Sequence, residues 1–386
     1  MTRGVTFSSR VPWDLRPNRL SRLLEEQRRS GVPILDLTES NPTAAGFDYP
    51  PEVLEALAGP RGLVYEPAPA GLASARQAVS RYYRARGEDV SAERVLLTTS
   101  TSESYSYLFK LLCGPGDEIL APRPSYPLFE FLAALESVRV VQYPLRYHGE
   151  WSIDLEALES AVTARSRALV LVNPNNPTGS FLKQGELERL AALGLPVISD
   201  EVFADYAFGP DERRVASLAS LEGVPAFCLS GLSKVSALPQ MKLGWIVANR
   251  REPYERLELI ADTYLSVSTP VQHALPALLE ARIPMQAQIK ARLRRNLEFL
   301  RASVAGGSAA RVLDVEGGWC ATLQVPRVKS EEEWALDLLE ARHVLVQPGF
   351  FYDFESEAYL VLSLLTREDV FEKGVRRLLE RIDTRS

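Results

Sequence analysis

The chain has 386 residues, is 46% hydrophobic and 24% charged, and carries a formal net charge of −6. This composition excludes a largely disordered or collagen-like chain. No stretch nears the roughly 18 apolar residues a transmembrane helix requires, and an acidic balance disfavours a nucleic-acid backbone as partner.

In chain order, Leu20 to Arg29 reads as a helix broken by Gly31 and Pro33. From Arg94 the pattern alternates. Arg94–Thr98 reads as a strand and Ser102–Leu112 as a helix, then Glu118–Ala121 as a strand and Leu128–Leu135 as a helix. Val138–Tyr143 and Ala168–Val172 are strands, each followed by a helical pattern, Leu155–Val162 and Leu182–Leu193. Val197–Ser199, Ala226–Leu229 and Leu243–Ala248 complete the set. Continuous apolar runs between helices predict a mostly parallel sheet covered on both faces. After about residue 280 come long helices at Ile289–Val304, Glu331–Arg342 and Glu368–Ile382. Short strands at Arg311–Val315, Ala321–Val325 and Tyr359–Ser363 lie between them. The expected architecture is α/β: a large domain over 51–280 with a mostly parallel sheet sandwiched by helices, and a smaller α+β domain built from both termini, 1–50 and 281–386.

Three scattered cysteines, Cys113, Cys228 and Cys320, fit a reducing compartment. Met1–Arg10 has no apolar core, so a cytoplasmic protein is expected. His148, His273 and His343 stand far apart, and no metal site is expected. Only seven of the 44 basic residues are lysine, so a lysine in an unusual setting stands out.

Ligands of open α/β sheets sit at the carboxyl ends of the strands. Five hydroxyls, Thr98 to Ser102, follow the first strand of the sheet. Pro124-Ser125-Tyr126-Pro127 follows the second, and Asn173-Pro174-Asn175-Asn176-Pro177-Thr178-Gly179 follows the fourth. Asp200-Glu201 ends the fifth, and Ser230-Gly231-Leu232-Ser233-Lys234 ends the sixth. Each has a plain structural reading. Ser100 with Glu103 is a capping box, the proline- and asparagine-rich segments are turns, Asp200 is a helix cap, and Lys234 is a surface lysine. Their order and placement along one sheet edge fit one chemistry better. A lysine forming a Schiff base needs an aldehyde cofactor. Pyridoxal phosphate supplies the aldehyde, a ring nitrogen that an Asp keeps protonated, and a phosphate suited to a helix start.

With Asn-Asn-Pro-Thr-Gly, Asp-Glu, and Ser-Lys followed by Lys-Leu-Gly-Trp, the chain resembles the class I/II aminotransferases. These are fold-type I pyridoxal-phosphate enzymes, and the likeness runs from about Leu35 to the C-terminus. The resemblance implies that Lys234 is the Schiff-base lysine and proton shuttle, Asp200 the pyridinium partner, Tyr126 the stacking ring and Asn176 the donor to the phenolate oxygen. It also implies that Ser100, Thr101 and Ser102 form the phosphate loop, and that Tyr65 reaches the phosphate of a neighbouring subunit, hence a homodimer.

Four departures stand against that pattern. Phe203 replaces a tyrosine, Lys242 an arginine on the phosphate, and Thr101 a glycine. Val361, two residues before Ser363, replaces the arginine that takes the substrate α-carboxylate. Asn41, Trp319 and Phe351 are candidate substrate-pocket residues, and each also reads as packing. The expected function is transfer of an amino group between an amino acid or related amine and a 2-oxo acid. A β-eliminating lyase or decarboxylase of the same fold is the alternative, and a non-catalytic binding module the more remote one. A nucleotide-binding enzyme is disfavoured, because no Gly-x-Gly-x-x-Gly follows the first strand of the sheet.

Overall fold

The structure, a computed structural model, describes residues 7–356 and 358–384. In chain order the strands are β1 (Leu35–Asp36), β2 (Val95–Thr98), β3 (Glu118–Arg123), β4 (Arg139–Tyr147), β5 (Trp151–Ile153), β6 (Ser166–Val172) and β7 (Val197–Asp200). They continue as β8 (Ala226–Gly231), β9 (Gly244–Ala248), β10 (Arg311–Val312), β11 (Cys320–Gln324), β12 (Val344–Leu345), β13 (Gln347–Pro348) and β14 (Tyr359–Ser363).

The main sheet runs β2-β9-β8-β7-β6-β3-β4-β5. The pairs from β8 across to β4 are all parallel. β9 is antiparallel to both β8 and β2, and β5 closes a hairpin on β4. The carboxyl ends of β2, β3, β6, β7 and β8 therefore share one edge, where the amino end of β9 also lies.

Residues alternate across this sheet. In β8, Ala226 and Cys228 face the core that also holds Val79 and Leu275, from the helices at Ala73–Ala85 and Thr269–Glu280. Phe227 and Leu229 face the core that holds Leu108 and Leu257, from Thr101–Leu112 and Arg251–Asp262. Burial on both faces is why these strands read as unbroken apolar runs. Each fully buried Leu or Phe contributes about 1.5–3 kcal/mol, so the sheet is a rigid platform for whatever its edge displays.

A smaller α+β unit stands beside it. Its antiparallel sheet has the order β10-β11-β14-β13. Its core joins Leu37, Leu293, Leu338, Leu360, Leu362 and Phe371, which brings the N-terminal segment together with the C-terminal helices. β1 pairs in parallel with β12 in this region.

Several elements differ from the sequence expectation. The strand expected at Val138–Tyr143 extends to Tyr147 and turns back as β5. The strand expected over Arg311–Val315 is two residues long. The helix Thr269–Glu280 was not anticipated, because it carries Pro276 in its interior, where proline removes an intrahelical hydrogen bond. Ala73–Ala85 and Arg251–Asp262 were likewise not anticipated as helices. Among the described residues no helix is long and apolar enough to cross a membrane.

Candidate active site

A cavity of about 280 Å³ opens at the carboxyl edge of the main sheet, against the smaller unit. The short helix Leu232–Val235 follows β8 directly and places Lys234 in its wall. Tyr206 anchors this turn by donating its hydroxyl hydrogen to the Lys234 carbonyl, at 2.6 Å. The Lys234 Nζ lies 4.8 Å from the Trp319 ring centroid and 5.6 Å from that of Phe203. Burial pushes the Lys234 ammonium down from its ordinary value, while the Asp200 carboxylate pulls the other way. A lysine whose burial disfavours its charged form is a better nucleophile and proton carrier than a solvated one.

β7 ends in Asp200, which is buried in the same cavity. Its Oδ1 accepts from the Val202 N–H at 3.2 Å, and its Oδ2 from the Tyr105 hydroxyl at 3.1 Å. Burial nevertheless raises its pKa to about 6, while those two donors pull the other way. A half-satisfied buried carboxylate favours a cation or strong donor beside it. The neighbouring Glu201 is spent on structure: it accepts from Ser199, Ser217 and the Leu218 N–H.

The loop after β6 is organised by two asparagines. Asn173 binds the Val215 carbonyl and the Leu182 N–H. Asn175 accepts from the Thr178 hydroxyl at 2.9 Å and donates to Ser125. Asn176, the next residue, is left to line the cavity. Tyr126 and Phe129 line it from the segment after β3. Ser100 and Thr101 line it from the start of the helix Thr101–Leu112. Ser100 also caps that helix: its oxygen accepts from the Glu103 N–H, and Glu103 accepts from the Thr99 N–H. The plain capping reading and a ligand-facing position thus coexist.

Two glycines keep the floor under this helix start bare. Gly231 and Gly244 are partners in the β8–β9 register. A Cβ on Gly231 would stand 3.0 Å from the Gly244 Cα, and one on Gly244 3.2 Å from Thr98 Oγ1 and from the Ser100 carbonyl carbon. Helix-start N–H groups, hydroxyls, a buried carboxylate, a desolvated lysine and a tyrosine converge on one cavity. That donor set fits pyridoxal phosphate: a phosphate at the Ser100–Thr101 helix start, a ring nitrogen at Asp200 and an aldehyde at Lys234.

Other expected residues lie elsewhere. Asn41 is exposed and does not line the cavity; its side chain turns back to accept from the Thr43 N–H and hydroxyl. Its neighbour Ser40 lines the cavity instead, with Thr38. Trp319 lines it, whereas Phe351 packs edge-on against Phe350 at 4.7 Å and does not. Ser102, second residue of the helix, is outside the lining. Lys242 is exposed, with a left-handed backbone at φ 48°, and its side chain is outside the lining although Leu243 and Gly244 are within it. Tyr65 is 75% exposed, away from this cavity. Tyr206, three residues after Phe203, does not make up for the tyrosine missing there. Its hydroxyl is committed to the Lys234 carbonyl.

Phe203 lines the cavity edge-on to Trp319, at 5.4 Å. Phe203→Tyr is expected to place a hydroxyl donor toward the phenolate oxygen of a bound cofactor. A donor there favours the deprotonated state, so the pH at which the cofactor's visible band changes should fall by about one unit. A spectrophotometric titration of parent and variant checks this, and an unchanged titration would mean that the ring edge does not face that oxygen.

Sequence reasoning missed Tyr105, Cys320, Gln347, Tyr352 and Ser363, all at this site. Tyr105 had one signal, its helix starting in the hydroxyl run. The others reach the cavity from the smaller unit.

The comparisons with known proteins agree with the geometry. The family model for aminotransferase class I and II matches residues 32–378. The glutamate-pyruvate aminotransferase AlaA of Escherichia coli K12 is 31% identical over 272 residues, 67% of this chain and 66% of that protein. The mouse tyrosine aminotransferase is 29% identical over 309 residues, 73% of this chain and 67% of that protein. A solved Thermus thermophilus aspartate aminotransferase double mutant superposes with a TM-score of 0.85 at 25% identity, covering 98% of this chain and 100% of that one.

Proposed function

The chain belongs to the class I and II aminotransferases, pyridoxal-phosphate-dependent enzymes, and from that premise we propose that it moves an amino group between an amino acid or related amine and a 2-oxo acid, with Lys234 as its covalent cofactor anchor and proton carrier. The observation that carries this assignment is the shared cavity of Lys234 and Asp200, a desolvated amine and a buried carboxylate, below the Ser100–Thr101 helix start.

When bound, pyridoxal phosphate supplies an electron-withdrawing ring that stabilises negative charge at the donor's reacting carbon. The protein's residues do the rest. Asp200, held by Tyr105 and the Val202 N–H, keeps the ring nitrogen protonated. Asn176 would donate to the phenolate oxygen, and Tyr126 would lie against the ring, both from the cavity lining. Ser100, Thr101 and the first N–H groups of their helix would hold the phosphate, with Lys242 adding charge from outside the lining. The Lys234 Nζ, as a free amine, would carry the proton away from the donor's reacting carbon and release it again. Its basicity, lowered by burial, suits a group that must both accept and release a proton. Phe203, Trp319 and Phe129 wall off water.

The exposed apolar side chains Leu63, Val64, Tyr65, Tyr264 and Leu265 support a homodimer in which Tyr65 completes a neighbouring subunit's site. The three free cysteines support a reducing, cytoplasmic setting. Mixing the loaded enzyme with single amino donors, without acceptor, tests the function. Stoichiometric conversion of the visible band to that of the cofactor's amine form is expected, with one 2-oxo product per site. Catalytic release of ammonia or carbon dioxide instead would indicate elimination or decarboxylation.

A further inference from the structure

Among the described residues, the wall contributed by the smaller unit carries no guanidinium. Cys320, Gln347 and Ser363 line the cavity from β11, β13 and β14. In this sheet Val361 pairs with both Thr322 and Gln347. Val361 is only 1% exposed and does not reach the cavity. Among the described residues no arginine lines the cavity, and Lys234 is its only cationic side chain. Arg367, the nearest arginine along the chain, is exposed and paired with Asp369 outside.

What stands beside Val361 is an amide. The Gln347 Oε1 accepts the hydrogen bond of Tyr352, a buried residue of the same wall. With its oxygen taken, Gln347 presents its Nε2 hydrogens as donors, and no described residue engages them. Ser363 is saturated: its hydroxyl donates to the Glu39 carbonyl and accepts from the Leu365 N–H. Thr38 is committed to Asp36.

We propose that Gln347 is the specificity-determining residue of the donor site, and that it reads the substituent beside the reacting amine as a hydrogen-bond acceptor, not as a negative charge. α-Amino amides are then donors on a par with α-amino acids. The inference rests on the transaminase reading above. A guanidinium fork gives a carboxylate two parallel charge-assisted bonds and leaves a buried charge unpaired when the ligand is neutral. A primary amide gives one bond to either, so it separates them weakly. The reaction balances in the usual way: the donor R–CH(NH3+)–CONH2 becomes R–CO–CONH2, its carbon oxidised by two electrons. The 2-oxo acid is reduced to its amino acid, and Lys234 carries the proton.

The test has two arms, a single-turnover comparison of L-phenylalanine with L-phenylalaninamide, and calorimetric binding of the unreactive pair 3-phenylpropionate and 3-phenylpropanamide to the loaded enzyme. Within each pair the parent should discriminate by less than tenfold, in rate constant over KM and in Kd. Gln347→Leu should weaken both members of the unreactive pair, and Gln347→Arg should shift preference toward the acids by at least tenfold. A parent preference for the acids above 100-fold, unmoved by Gln347→Leu, would overturn the proposal. If neither reactive donor is converted, the binding arm alone decides on Gln347, and the donor experiment above decides on the transaminase reading.

Discussion

Lys234→Ala is expected to lower single-turnover transamination by at least about 10⁴-fold, some 5 kcal/mol in barrier, while the protein stays folded. The loss joins two functions of one side chain, covalent anchorage and proton transfer, the latter alone contributing about 10²–10⁴-fold. Stability should hold because the Lys234 Nζ has no hydrogen-bond partner among the described residues, and its burial disfavours the charged form. The backbone carbonyl that Tyr206 grips is kept in the variant. Stopped-flow absorbance and a circular-dichroism melt separate the two effects. A variant with turnover within tenfold of the parent would remove Lys234 from its role.

Asp200→Ala is expected to cost about 100-fold or more in turnover, near 2.7 kcal/mol, and less than tenfold in cofactor retention. The asymmetry follows from geometry. The phosphate is held at the Ser100–Thr101 end, while the carboxylate acts on the ring nitrogen, whose charge matters most when the donor carbon loses its proton. The raised pKa of Asp200, about 6, adds a pH dependence. Above that value the free protein offers a carboxylate to the ring cation. As pH falls through it, loading must first expel a proton, so cofactor affinity should weaken. Fluorescence titration of the cofactor from pH 5 to 8 checks this, and the Asp200→Ala variant should lose that part of the pH dependence. Turnover within tenfold of the parent would mean that Asp200 is not the ring-nitrogen partner.

Val361→Arg, which introduces the arginine that the family resemblance implies for this strand, should not improve turnover with glutamate or alanine. Val361 is enclosed between Thr322 and Gln347. A guanidinium there is a buried charge without a partner, costing about 3 kcal/mol or more. A lower urea midpoint with no gain in rate is expected. A stable variant with faster glutamate turnover would show that the site still accommodates the arginine fork.

The large sheet was legible because strands buried on both faces must be apolar throughout, as in Ala168–Val172. Its edge was legible because the chemistry-bearing residues follow those strands directly. Lys234, Asp200 and Asn176 each sit at or within a few residues of a strand end. The opposite wall was not legible. Gln347 and Tyr352 reach the cavity through packing of the smaller unit, more than 100 residues from Lys234 in the chain. β13, which carries Gln347, is two residues long, too short for any periodicity. At the N-terminal turn the difference between Asn41 and Ser40 is one position. Asn41 fits a turn because its side chain binds its own backbone two residues on, and that same bond turns it away from the site.

The most direct test of the account is borohydride reduction of the cofactor-loaded protein, followed by proteolysis and mass mapping of the reduced adduct. A single adduct on Lys234 is expected, in the peptide containing Ser230-Gly231-Leu232-Ser233. An adduct on Lys242 or Lys183, or none on a protein that retains its visible band, would contradict it.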